Sequence, residues 1–326
     1  MKSSRWYWKR AMVVAVAALA GSGMSVEAAA PVPTLASHHT FSTLDHPGAG
    51  SASGQGTYPS GINDAGVLVG NYYTASNQGY GFIYEDGAFS PINDPKAGSG
   101  PFQGTDPLSV NTHEAVVGYY VDPAGISHGF LFTRGRFTTI DDPLGGTASG
   151  QGTFAQGIND DGDIAGEVID AAGVDHGFTL IDGRYRTVDN RHAGTGSGQG
   201  DGLVNINSHN QSAGILIDSA GVHRSFLYQA GKSTGLINDP KAGTASGQGT
   251  SGYCVNDSGV LAGQYVDAAG IVHGFQLKHG TFTTIDDPKG SSTSVQCLAN
   301  NGAMVGFYTD TKGAAHGFVY RASEGG

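Results

Sequence analysis

The chain has 326 residues and a formal net charge of −11, with glycine contributing 54 residues and charged residues only 14%. Many glycines and few charges suit short strands joined by tight turns and exclude a helical protein, and no helix-period apolar stripe follows residue 30. The acidic balance excludes nucleic acid and anionic membrane surfaces as partners.

The chain opens with Lys2, Arg5, Lys9 and Arg10, continues with the apolar run Ala11 to Ala20, and reaches small residues ending in Val26-Glu27-Ala28-Ala29-Ala30-Pro31. This order of basic, apolar and small residues predicts a secretory signal peptide over residues 1–28, because the apolar run is far shorter than the roughly 20 residues of a spanning helix. Its removal takes four basic residues and one acid, leaving 13 basic against 27 acidic and a charge of −14. The expected product is a secreted or periplasmic monomer without membrane insertion.

After a linker at 29–39, one unit recurs six times over residues 40–321, followed by a tail at 322–326. Copies begin at Thr40, Ala88, Arg136, Arg184, Lys232 and Thr281, a spacing of 48 with one inserted residue in the fifth copy and a shortened sixth. A period of this length marks a repeat architecture. In the third copy four apolar runs read as strands: a (136–140), b (155–159), c (163–169) and d (176–181). The turns between them, Asn159-Asp160-Asp161-Gly162, Asp170-Ala171-Ala172-Gly173 and Asp182-Gly183, are hairpin signals.

The strands are apolar on both faces, as the consecutive Val67, Leu68 and Val69 illustrate. A sheet covered on both sides by its neighbours is a propeller blade, so the expected fold is an all-β six-bladed β-propeller with four antiparallel strands per ~48-residue repeat. An open β-solenoid is the alternative. Only the a-to-b connection is long enough to run radially, which places b innermost and a outermost; the first strand a then completes the last blade.

The His-Gly-Phe motifs at His128, His176, His273 and His316, the Asn-Asp-x-Gly turns, and Phe-Thr-Thr-Ile-Asp at Phe137 and Phe282 together resemble the HAF-type extracellular repeat family. The resemblance spans about residues 40 to 320 and implies a secreted bacterial protein of β-propeller type. It brings no catalytic residues with it. The fourth copy departs from it with His223-Arg224-Ser225-Phe226, and the first with Tyr80-Gly81-Phe82.

Wherever His stands in that motif, an Asp stands six residues earlier: Asp122 with His128, Asp170 with His176, Asp267 with His273, Asp310 with His316. In the first copy both change, to Thr74 and Tyr80; in the fourth Asp218 faces Arg224. Such co-variation among copies argues for structural cross-strand pairs locking the c–d turn. Strand a ends in Asn93-Asp94, Asp141-Asp142, Asn238-Asp239 and Asp286-Asp287, with Asp45-His46 and Asp189-Asn190 as variants; these are turn formers or, alternatively, Ca²⁺ or hydrolase carboxylates. No metal site is expected.

The a–b loop carries Gln between glycines at Gln55, Gln151, Gln199 and Gln248 and as Phe102-Gln103-Gly104 in the second copy, and the sixth copy lacks it. Amides at the entry to the innermost strand would ring one channel mouth and suit a hydroxyl-rich ligand, with Thr153 and Asp201 beside them. A self-bonded loop is the structural alternative. Cys254 and Cys297 hold the same position in consecutive copies, which in an oxidising compartment predicts a disulfide between the last two blades. No nucleophile, zinc or phosphate motif is present. The expected function is extracellular ligand binding, of carbohydrate above all; the alternatives are a glycan hydrolase or lyase using carboxylates on the loop face, and a structural surface protein.

Overall fold

In the computed structural model, residues 40–322 are described; the signal peptide, the linker and residues 323–326 lie outside them. The described chain is a six-bladed β-propeller, all strand and turn. Blade 3 shows the plan. Strands b (Gly152–Ile158), c (Ile164–Ile169) and d (Asp175–Ile181) of the third copy pair antiparallel in that order, and strand a of the next copy (Arg184–Val188) adds at the outer edge.

The predicted order holds, since residues of all six b strands line an axial cavity of about 90 Å³. Each b strand carries a bulge, at Ala155/Gly157 in blade 3. Strand b starts three residues earlier than the pattern suggested, because Gly152 belongs to the ladder rather than to the loop. That glycine has φ +115°, and a Cβ there would run into the Ser127 carbonyl of the preceding blade. Both constraints reserve the position for glycine. The equivalent residues Gly56, Gly104, Gly200 and Gly249 have φ between +118° and +135°.

The ring closes as the strand order requires. Thr40–Leu44 pairs with Ala315–Arg321 through five residue pairs, from Thr40↔Arg321 to Leu44↔Gly317, so the first strand becomes the outer strand of blade 6. No sheet edge is left open at the seam. One blade is irregular. The inserted residue of the fifth copy shortens the outer strand of blade 4 to Lys232–Ser233, with Ile237 rejoining Ser225 by an isolated bridge.

The core lies between blades. Phe82, Phe130, Phe178, Phe226, Phe275 and Phe318, one per copy at the same point of strand d, are all 0% exposed. Truncating one to Ala removes a side chain whose loss usually costs about 3–5 kcal/mol. The Phe of His-Gly-Phe is therefore packing, and the chemistry of the motif rests with its histidine.

Candidate functional site: the loop face

The propeller has two unlike ends. The long a–b loops and the c–d turns crowd one end, the loop face, while the b–c and d–a turns form the other. Every residue singled out in the sequence as a ligand-binding or Asp–His pairing candidate maps to the loop face.

The glutamines are bonded within the fold. Gln151 Oε1 accepts the Ala148 amide of its own loop at 3.0 Å, and Nε2 donates to the Ala171 carbonyl of the c–d turn at 3.1 Å. Gln55, Gln103, Gln199 and Gln248 repeat this bracket, donating to Ala75, Pro123, Ser219 and Ala268. Their amides brace loop to turn instead of ringing the channel. The same loops also clasp the preceding blade: Gly150 N–H donates to the Gly125 carbonyl at 2.8 Å, and the Gln151 carbonyl accepts from Ser127 N–H at 2.9 Å.

The histidines and the acidic ends of strand a, read separately in the sequence, form single clusters. His176 Nδ1 lies 2.8 Å from Asp189 at the end of strand a, and its Nε2 lies 3.5 Å from Asp170 of the c–d turn. The stronger partner is thus the strand-a aspartate; the predicted turn aspartate stands beyond hydrogen-bond length. His128 sits likewise between Asp141 (2.9 Å) and Asp122 (3.6 Å), His273 between Asp286 (2.8 Å) and Asp267 (3.6 Å), and His316 between Asp45 (2.8 Å) and Asp310 (3.8 Å). Three of the rings also stack on a buried tyrosine: His128 on Tyr120, His273 on Tyr265, His316 on Tyr308.

The turn aspartates do lock their turns, by another atom. Asp170 Oδ1 accepts the amides of Ala172 and Val174. Burial alone would raise the Asp170 carboxyl, but those amides and the His176 ring outweigh it and hold it below the usual range. Burial likewise opposes charge on His176, yet Asp189 and Asp170 prevail and its pKa is raised. In the fourth copy Arg224 Nε bonds Asp218 at 2.9 Å, a permanent cation in the histidine's place.

The second acidic residue of strand a plays a different part. Asp142 is 5% exposed, its Oδ1 accepts the Leu144 amide, and its own amide donates to Thr153 Oγ1 at 2.9 Å. In the fourth copy the carboxylate has moved across this bond: Asn190 replaces the acid, and Asp201 replaces the threonine, accepting the Asn190 amide at 3.2 Å. Asp201 is 4% exposed, and its Oδ2 is buried without a hydrogen-bond partner. Desolvation above all, with Asp189 and Asp175 adding to it, pushes its pKa up to about 7. Glu167 and Asp175 are buried at the same blade junction at 6% and 7% exposure.

At the opposite end lies a feature the sequence showed only as turns. Asn63, Asn111, Asn159 and Asn207 each donate from Nδ2 to the backbone carbonyl of the equivalent asparagine in the next blade, at 2.9–3.3 Å. Asn256 reaches Ala299 of the sixth copy at 3.5 Å. The signal was present as Asn at one repeat position in five copies, but its partner lies 43 to 49 residues away. On the axis side Cys254 and Cys297 are joined by a disulfide, with Cα atoms 4.9 Å apart. Among the described residues no group of three or more His, Cys, Asp or Glu is arranged to hold a metal ion.

Neither a protein-family model nor a curated protein matches the chain. Solved structures do. A mutant of the Aleuria aurantia lectin bound to Fucα1-6GlcNAc is similar with a TM-score of 0.50 at 11% identity, covering 82% of this chain and 93% of the lectin. A second structure of that fungal lectin, described as a six-bladed β-propeller with a novel fucose recognition mode, gives 0.50 at 9% identity over 82% and 91%. At these identities the likeness is one of fold.

Proposed function

We infer that the protein is an extracellular glycan-binding propeller that presents several equivalent shallow sites on its loop face. The observation that carries this reading is the fourfold recurrence of a solvent-reached Asp–His–Asp cluster at one rim position. The flanking strand-a carboxylates, 40–64% exposed in their side chains, have acceptor capacity left for sugar hydroxyls. The basic-then-apolar leader and the resemblance to HAF-type extracellular repeats support export. The lectin neighbours share the fold and are themselves bound to, or described as recognising, fucosides.

A hydrolase needs a carboxyl that touches its substrate. Asp201 has a suitable pKa, but at 4% exposure it is walled in between blades, which favours binding over catalysis. The test is a glycan panel scored for binding and for product release. Asp45→Asn, Asp141→Asn, Asp189→Asn and Asp286→Asn should each lower avidity, and the quadruple variant should lower it by more than a hundredfold, since linked sites reinforce one another. Full binding by a folded quadruple variant, or release of product, defeats the reading.

A further inference from the structure

Five blade junctions are clasped by the Gln-Gly loop, Gly-Gln-Gly in four copies and Phe102-Gln103-Gly104 in the second, and each makes the same two main-chain bonds. An amide of the loop donates to a c–d turn carbonyl of the preceding blade (Gly54 to Gly313, Phe102 to Asn77, Gly150 to Gly125, Gly198 to Gly173, Gly247 to Gly221), and the Gln carbonyl accepts from the first amide of the preceding strand d (Ala315, Gly79, Ser127, Asp175, His223). The sixth copy runs from Ser291 straight into Ser292 and has none of the five residues corresponding to 147–151. The Gly270 carbonyl and the Val272 amide of blade 5, which hold the equivalent places, therefore face a slot with no loop in it.

Three further observations mark this slot as open. Ile271 is 44% exposed, whereas beneath a loop the equivalent Val222 and Ala314 are each 3% exposed and Ile126 and Val174 are half-buried. The Ser291 hydroxyl turns back to the Thr309 and Asp310 carbonyls of blade 6, so this end of the short connection does not cap the c–d turn of blade 5. Where five copies need glycine against the neighbouring carbonyl, the sixth has Ser292, which is outside the positive-φ set.

We propose that the blade 5–6 slot on the loop face binds an extended peptide segment of a partner protein, of the form small-Gly-x-Gly, by the main-chain bonds that the chain's own loops make at the other five junctions. The occupant's Gly amide meets the Gly270 carbonyl, the carbonyl of x meets the Val272 amide, and its small side chains cover Ile271. This is strand addition to a sheet end, in which main-chain bonds supply affinity and a side-chain pocket supplies selectivity.

The probe is an acetylated, amidated peptide with the sequence of residues 147–153, Thr-Ala-Ser-Gly-Gln-Gly-Thr, titrated into the full mature chain while the Val272 amide is followed by NMR. A saturable shift at Val272 is expected. Restoring the loop by inserting Thr-Ala-Ser-Gly-Gln after Ser291 together with Ser292→Gly should weaken the peptide at least tenfold, and so should Ile271→Asp, which alters only an exposed side chain. No shift at millimolar peptide, or equal affinity in both variants, overturns the proposal. Loss of glycan binding on filling the loop would assign the slot to sugar, and peptide binding only after residues 29–39 are deleted would assign it to the chain's own linker; either outcome also overturns it.

Discussion

The junction between blades 5 and 6 and the five junctions around it solve one problem by different chemistry. At junction 2–3 the loop lays two main-chain bonds across the gap, and on the axis side Ser109 Oγ accepts the Ile158 amide at 3.3 Å. At junction 5–6 the loop is missing, and at the residue equivalent to Ser109 stands Cys254, bonded covalently to Cys297 of the next blade. At junction 3–4 the innermost strands crowd so closely that a Cβ on Gly157 would meet the Asn205 backbone, and the same closeness around the axis is why equivalent residues of adjacent blades can be linked at all. A covalent bond stands where a clasp was lost, and it leaves the loop face open.

If that is the division of labour, the largest effect belongs to the disulfide. Cys254→Ala with Cys297→Ala should cost about 2–5 kcal/mol in denaturant unfolding. Rebuilding the sixth loop in the cysteine-free chain should recover part of this; a null effect would show that the disulfide does not substitute for a clasp.

The next effect sets junction 3–4, where Asp201 replaces the threonine of the other five copies, against the rest. The folded pKa of Asp201 is raised from 3.8 to about 7, so ionisation costs the folded state. The sign follows: stability should fall as pH rises from about 4 to 7 and level off above. A shift of this size is worth on the order of 4 kcal/mol at most. Asp201→Asn should flatten that part of the stability–pH curve and gain most near pH 8; an unchanged slope would mean the carboxyl finds solvation inside.

Smaller again is the glycine test. Gly152→Ala places a Cβ at φ +115° against the Ser127 carbonyl and should cost about 1–3 kcal/mol, while Ser292→Ala at the unclasped junction should stay within about 0.5 kcal/mol. Equal costs would erase the distinction between the junctions. Smallest is Gln151→Ala. Loss of its bracket should cost about 0.5–1.5 kcal/mol in thermal unfolding, with glycan affinity unchanged in the folded fraction. A selective loss of binding would return the glutamines to the ligand.

These contrasts also separate what was legible in the sequence from what was not. Strand order, blade number, seam and the facing of Cys254 and Cys297 follow from period and turn chemistry, which act within or between adjacent copies. The partner of His176 did not follow, because Asp189 is thirteen residues away on another strand while Asp170 stands nearer across a hairpin. The glutamines misled for a related reason: a polar side chain between two glycines reads as exposed, but its bonds go to a turn twenty residues later. The exchange of Asn190 and Asp201 was written in the copies, yet it carries meaning only once the bond between those two positions is known.

The seam has one more consequence. Thr40 and Arg321 stand opposite each other as Arg184 and Ile181 do in blade 3, where Asp182-Gly183 joins the two strands. The first and last described strands thus meet at the place of a two-residue hairpin, and the ring of blades has no privileged starting point. Joining Ala322 through one glycine to Thr40 and reopening the chain at Asp182-Gly183 gives a circular permutant with the same blades, whose new ends emerge beside blade 3 and could carry a fused domain there.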